Sequence, residues 1–183
     1  MTDSARKQEL LDAAYQYVLG NGLADMSLRP LAKEIGSSPR VLLFLFGSKE
    51  ELIRALLARA RQEELRYLTA LRENHDDLAA TGRDVWAWLA NPAHRALLAL
   101  WVEGYARSLL GDPGPWADFG RDTVHDWLDL LAERQAASSA DPVAEAERTL
   151  LLAVLRGALL DLLATGDTDR VTQAVHRHLA TAG

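Results

Sequence analysis

The stretch SLRPLAKEIGSSPRVLLFLFGSKEEL, residues 27–52, holds two short apolar segments parted by Gly36 and closed by Gly47. Ser27 stands as the cap of a first helix, which Gly36 stops after barely two turns. Ser38-Pro39 opens a second, with proline at the first helical position, where a missing N–H costs nothing. After Gly47, Ser48-Lys49-Glu50-Glu51 has the serine-to-glutamate spacing of a capping box, and Leu52, Ile53, Leu56, Leu57, Leu65, Leu68 and Leu71 carry a longer helix onward. A short helix, a glycine turn and a short helix make the spacing of a DNA-binding helix-turn-helix; two helices joined at a glycine also make a plain αα-corner.

Outward from this stretch, the chain of 183 residues contains 34 Leu and 30 Ala against 9 Val and 2 Ile, so an all-α fold is expected. Start and stop signals cut it into about ten helices. The first runs from near Asp3 to Gly20, with Leu10, Ala14, Tyr17 and Val18 on one face. Asn91-Pro92, Asp112-Pro113 and Asp141-Pro142 repeat the device of cap residue plus proline. They predict a short helix around Arg83 to Ala90, one or two from Pro92 to Leu110, and others over Pro115 to Ala137, Pro142 to Ala164 and Asp167 to Ala180. The start of the short helix is open anywhere between Asp76 and Gly82.

The absence of cysteine excludes disulfide scaffolds, thiolate metal sites and cysteine nucleophiles. Charges interrupt the N-terminus, and the longest apolar stretch, Leu150 to Leu163, contains Arg156 and Asp161 and falls short of the roughly 20 residues a bilayer demands. A cytoplasmic protein without a membrane partner is expected. The net charge of -6 belongs wholly to residues 55–183, while residues 1–54 balance 7 basic against 7 acidic side chains. No His-Glu-x-x-His pair, glycine-rich phosphate loop or Gly-x-Ser-x-Gly elbow occurs, and His176 and His178 diverge on a helix, so no enzyme, catalytic residue, metal or cofactor is expected.

Ile35 to Leu52, with the lead-in Gly22-Leu23 and Ser27-Leu28-Arg29-Pro30-Leu31-Ala32, resembles the N-terminal signature of the TetR family of transcriptional regulators, over about Leu10 to Leu56. The resemblance implies a three-helix DNA-binding head over residues 1–47 and a larger helical body over 48–183. That body would hold a small-molecule pocket and dimerise through two late helices. The expected function is a repressor that binds a palindromic operator in double-stranded DNA as a homodimer and is released by a small apolar or aromatic inducer. Carried onto this chain, the DNA-facing residues are Arg29, Ser37, Ser38, Pro39, Arg40, Leu43, Phe44 and Lys49. Arg40 stands in the base-contacting stretch and offers a fork of donors to guanine O6 and N7; Lys49 and the amides near Ser48 would face phosphate. Leu31, Ile35, Leu42 and Phe46 read as the small core of the head.

The sequence departs from the family where many members carry Tyr-Tyr-His or Tyr-Trp-His: those places hold Leu43, Phe44 and Leu45. Leucine cannot give the phosphate hydrogen bond of the first tyrosine. A second reading therefore stands beside the first, an all-helical ligand-binding or interaction protein whose helix-turn-helix has lost DNA affinity.

Seven of the 12 aromatic residues fall between Trp86 and Trp127. Trp86, Trp88, Trp101, Tyr105, Trp116, Phe119 and His125 are the expected ligand-binding set, with His94, Glu103 and Arg107 as further polar candidates. Trp86 and Trp88 are two apart, so only one is expected to point fully inward. The helix from Val143 to Ala164 has almost no polar face and must bury both sides. One side would meet its own body and the other a second copy, with Ala153, Gly157 and Ala158 allowing close approach. The Pro115 to Ala137 helix, through Trp127, Leu128 and Leu131, would complete a four-helix bundle across a two-fold axis.

Overall fold

The computed structural model describes residues 3–23, 26–70, 77–110, 114–135 and 141–181. Among these the chain is helical without a strand: α1 (Asp3–Asn21), α2 (Leu28–Glu34), α3 (Pro39–Phe46), α4 (Lys49–Ala70), α5 (Leu78–Leu89), a 3-10 turn at Pro92–His94, α6 (Arg95–Leu109), α7 (Phe119–Ala132), α8 (Pro142–Thr165) and α9 (Thr168–Thr181). The proline-led starts behave as expected at two places: Asn91 Oδ1 accepts from Ala93 N–H, and Asp141 Oδ1 from Val143 N–H. Asp112-Pro113 and Leu71 lie outside the described residues.

Several boundaries differ from the expectation. The start of the short helix, left open between Asp76 and Gly82, falls at Leu78, because Asp77 caps it by accepting from the amides of Ala79 and Ala80 at 2.9 and 3.2 Å. The helix expected from Pro115 to Ala137 is shorter: Asp118 takes a left-handed backbone, φ 66°, which cannot continue a helix, so α7 starts at Phe119 and ends at Ala132. Ser27 occupies the N-cap of α2 with extended backbone, yet its hydroxyl makes no cap hydrogen bond. Half of the capping box at α4 forms: Ser48 Oγ accepts from Glu51 N–H at 3.0 Å, while the Glu51 carboxylate pairs with Arg54.

The chain divides into two compact units, Met1–Glu63 with Ala96–Gly120, and Glu64–Arg95 with Arg121–Gly183. In the first, Leu10, Ala14, Tyr15 and Val18 of α1 bury against Leu31, Leu42, Phe46, Leu52 and Leu56. Tyr15 takes the inward place, and Tyr17 and Ile35, expected inside, are only half-buried. Gly104 of α6 lets the helix approach closely: a Cβ there would stand 2.9 Å from a Leu57 methyl and 3.1 Å from the Phe119 ring. The Glu103 carboxylate ties α6 to the end of α1 by accepting from Leu23 N–H at 2.9 Å.

In the second unit, α5 packs against both α8 and α9. Trp86 and Trp88 are consequently both buried, contrary to the two-apart argument, which holds only for a helix covered on one side. Trp86 Nε1 donates to Thr172 Oγ1 at 3.0 Å, and Trp88 lies within 5.5 Å of the Tyr67 ring and 4.7 Å of the His94 ring. Leu151, Leu152, Leu155, Leu159 and Leu162 form the inward face of α8. Arg170 closes the α8–α9 corner with two hydrogen bonds to Asp161, at 2.7 and 2.8 Å; they hold the Asp161 carboxyl below its usual range.

Candidate nucleic-acid interface

One glycine makes the α2–α3 turn possible and a second closes α3. Gly36 and Gly47, with φ of 63° and 88°, end α2 and α3 in a conformation that a side chain disfavours. Between them Ser38 accepts from Val41 N–H at 3.3 Å and Pro39 fills the first helical position, so α3 is a rigid unit of eight residues. Leu42 and Phe46 anchor it to α1 and α2. At 100° per residue, the direction opposite Leu42 is occupied by Arg40 and Phe44, flanked by Val41 and Leu43. All four are exposed, Phe44 at 76%.

Charge is distributed unevenly over this region. Arg6 pairs with Glu9, Arg54 with Glu51, and the Lys7 ammonium lies 5.1 Å from the centre of the Phe46 ring. Asp12 is taken by Arg59, at 3.2 Å. Arg29, Lys33, Arg40 and Lys49 make no ion pair among the described residues. The neutral sum over residues 1–54 thus conceals four uncommitted cations on α2, α3 and the first turn of α4. Ser37 is half-buried with its hydroxyl unpaired, and Ser38 is committed to its cap.

The expected ligand-binding residues fall into both units. In the first, Trp101 stacks on Tyr105 with ring centres 5.1 Å apart, the Arg107 guanidinium lies 5.9 Å from the centre of the Trp116 ring, and Phe119 packs on Gly104. Ser108 links this group by donating to the Tyr105 carbonyl and accepting from Gly120 N–H. Trp86 and Trp88 belong to the second unit, as does His125, which is exposed on α7. Of the further polar candidates, His94 hydrogen-bonds the Trp88 carbonyl through Nδ1, while Glu103 is the acceptor for Leu23.

Buried charge in the second unit has no periodic signal in the sequence. Glu64 accepts from Trp127 Nε1 at 2.8 Å, Arg148 donates to Gln135 Oε1 at 2.7 Å, and Arg134 is buried with its Nη2 unpaired. An open groove of about 600 Å³ between α1 and α2, lined by Gln16, Tyr17, Asn21 and Glu34, was likewise unforeseen. The outward side of α8 exposes Val143, Leu150, Ala153, Gly157 and Leu160. Trp127 and Leu131, expected at a contact between copies, are instead buried inside the unit, leaving Val124 and Leu128 half-exposed on α7.

Residues 10–56 match the family described as bacterial regulatory proteins, tetR family. The repressor AcnR of Corynebacterium diphtheriae is 29% identical over 178 residues, covering 94% of this chain and 88% of that protein. The regulator BetI of Brucella canis is 28% identical over 130 residues, or 71% of this chain and 54% of BetI, so the match spans about half of that relative. Among solved structures, a transcriptional regulator from Rhodococcus sp. Rha1 superposes with a TM-score of 0.77 at 20% identity, covering 96% of this chain and 95% of that one. The multidrug binding protein EbrR, complexed with imidazole, gives 0.69 at 24%, covering 94% and 89%. With its glycine-bounded helix-turn-helix, the chain is similar over residues 10–56 to bacterial regulatory proteins of the tetR family, and it shares an all-helical architecture with the solved structures along nearly its whole length.

Proposed function

We propose that the protein is a cytoplasmic repressor that binds a pseudo-palindromic operator as a homodimer, reading DNA with residues 1–47 and holding an inducer and its second copy with residues 48–183. The observation that carries this reading is the set of Arg29, Lys33, Arg40 and Lys49, which make no ion pair among the described residues and stand on the helix-turn-helix and the adjoining helix start. Cations without protein partners are available to release counterions from phosphate and to reach base edges. The relative AcnR is named a repressor, which favours repression as the mode.

The dimer rests on the exposed stripe of α8. Val143, Leu150, Ala153, Gly157 and Leu160 recur at steps of seven, three, four and three, the spacing of one helix face. Small residues in its middle permit close helix approach. The inducer site rests on Trp101 and Tyr105, stacked on α6 beside Phe119 and Gly120. An apolar or aromatic ligand suits it, and EbrR has been solved with imidazole and with proflavin. A ligand that lowers operator affinity must itself be weakened by DNA by the same factor.

Selection of a random duplex library on the full-length protein tests the reading. Recovery of a two-fold symmetric sequence with half-sites one helical turn or a small multiple apart, about 34 Å per turn, is expected. Recovery of nothing above background would leave an all-helical ligand-binding or interaction protein. For the inducer, tryptophan fluorescence that responds equally in wild type and Trp101→Ala would move the site elsewhere.

A further inference from the structure

The outward line of α3 consists of a cation and an aromatic ring. Arg40 and Phe44 are four residues apart and lie on one ridge, with Val41 and Leu43 on its two sides. Nothing in the core needs this exposed ring, the buried residues of α3 being Leu42 and Phe46. A ridge with one donor and three apolar neighbours can form few hydrogen bonds to base edges. In the major groove only one base offers an apolar group: thymine carries a 5-methyl, whereas the edges of adenine, guanine and cytosine are lined by donors and acceptors that a phenyl ring would leave unpaired. The surrounding free cations favour a polyanion over an apolar protein surface as the occupant.

We propose that Phe44 is a specificity-determining residue that reads thymine, packing its ring against the 5-methyl group. This rests on the DNA-binding function proposed above and adds the base class to it. Four residues span about 6 Å of helix, against about 3.4 Å per base pair, so the thymine lies one or two base pairs from the guanine read by Arg40. Leu43, exposed beside Phe44, extends the same apolar surface.

The test uses the duplex selected by the full-length protein and a copy in which each thymine of the half-site is replaced in turn by deoxyuridine, which removes the methyl alone. Loss of one methyl contact at about 0.8 kcal/mol corresponds to about fourfold weaker binding per half-site and about fifteenfold for both half-sites of a dimer. Wild type is expected to show this loss at one position, one or two pairs from a guanine. Phe44→Ala is expected to bind the thymine and deoxyuridine duplexes equally, and Phe44→Leu to keep part of the preference. Because Phe44 is exposed, unchanged circular dichroism and sedimentation serve as the folding control. If no deoxyuridine position weakens wild type, or if Phe44→Ala retains the full methyl dependence, the assignment of Phe44 is overturned while DNA binding stands. If no sequence is selected at all, both readings fall together.

Discussion

Helices α3 and α8 both expose apolar side chains, and the company those side chains keep separates their roles. On α3, Phe44, Val41 and Leu43 surround an arginine, with further unpaired cations on the elements before and after it. On α8, Leu150 and Leu160, 57% and 52% exposed, flank Ala153 and Gly157 and form a stripe several turns long. An exposed apolar patch alone names no partner. A cation in its midst points to a polyanion with methyl groups to offer, whereas small residues in its midst point to another helix at close range.

The most damaging way to break this contrast is Gly157→Arg. A Cβ at Gly157 meets nothing within 4 Å, so the protomer is expected to fold, while a guanidinium placed in a dry helix contact costs several kcal/mol. Leu159 would be a poor probe, because it is buried in its own unit. Sedimentation is expected to show a monomer, and operator affinity to fall about 100-fold or more as binding through two linked heads is lost. A variant that stays dimeric would remove α8 from the interface.

Arg40→Ala comes next, with an expected cost of about 1 to 3 kcal/mol and relaxed preference at one base pair per half-site in competition against a point-substituted duplex series. Lys49→Ala is expected to weaken all sequences alike and to lower the slope of log affinity against log salt by about 1 per lost contact. A change of sequence preference in Lys49→Ala would reverse the roles given to these two cations. The smallest effect separates two serines that read alike in the sequence. Ser38→Ala removes a formed cap and is expected to cost about 1 kcal/mol in urea unfolding, whereas Ser27→Ala removes no hydrogen bond and is expected to cost little.

That pair of serines also marks what the sequence discloses. The Ser38 cap is made to the Val41 amide three residues on, across Pro39 and Arg40, so it lies within reach of a local rule. The all-helical fold and the helix-turn-helix are legible for the same reason, since glycine, proline and cap residues act on their immediate neighbours. Ser27 has the same chemistry, but its hydroxyl forms no cap bond, and composition does not record that. The burial of both Trp86 and Trp88 escapes a local rule, because the coverage of α5 by α8 and α9 is decided more than 50 residues away in the chain. The pairing of Glu64 with Trp127 spans 63 residues and leaves no periodic trace. Sequence periodicity shows which way a side chain points, not what waits there.

The bond from Leu23 N–H to Glu103 has a consequence for how this protein can vary. Its donor is main chain, so almost any residue at position 23 supplies it, and only proline withdraws it. Such a contact leaves no correlated pair of substitutions, and comparing many relatives for co-varying positions would pass over it. Apart from proline at position 23 or a side chain at Gly22, adjustment of this tie falls to Glu103, on the helix that also carries Trp101 and Tyr105. A single codon there alters the hold on the end of α1 without touching α2 or α3, which on the function proposed above would let descendants of this chain retune an inducer response while keeping one operator.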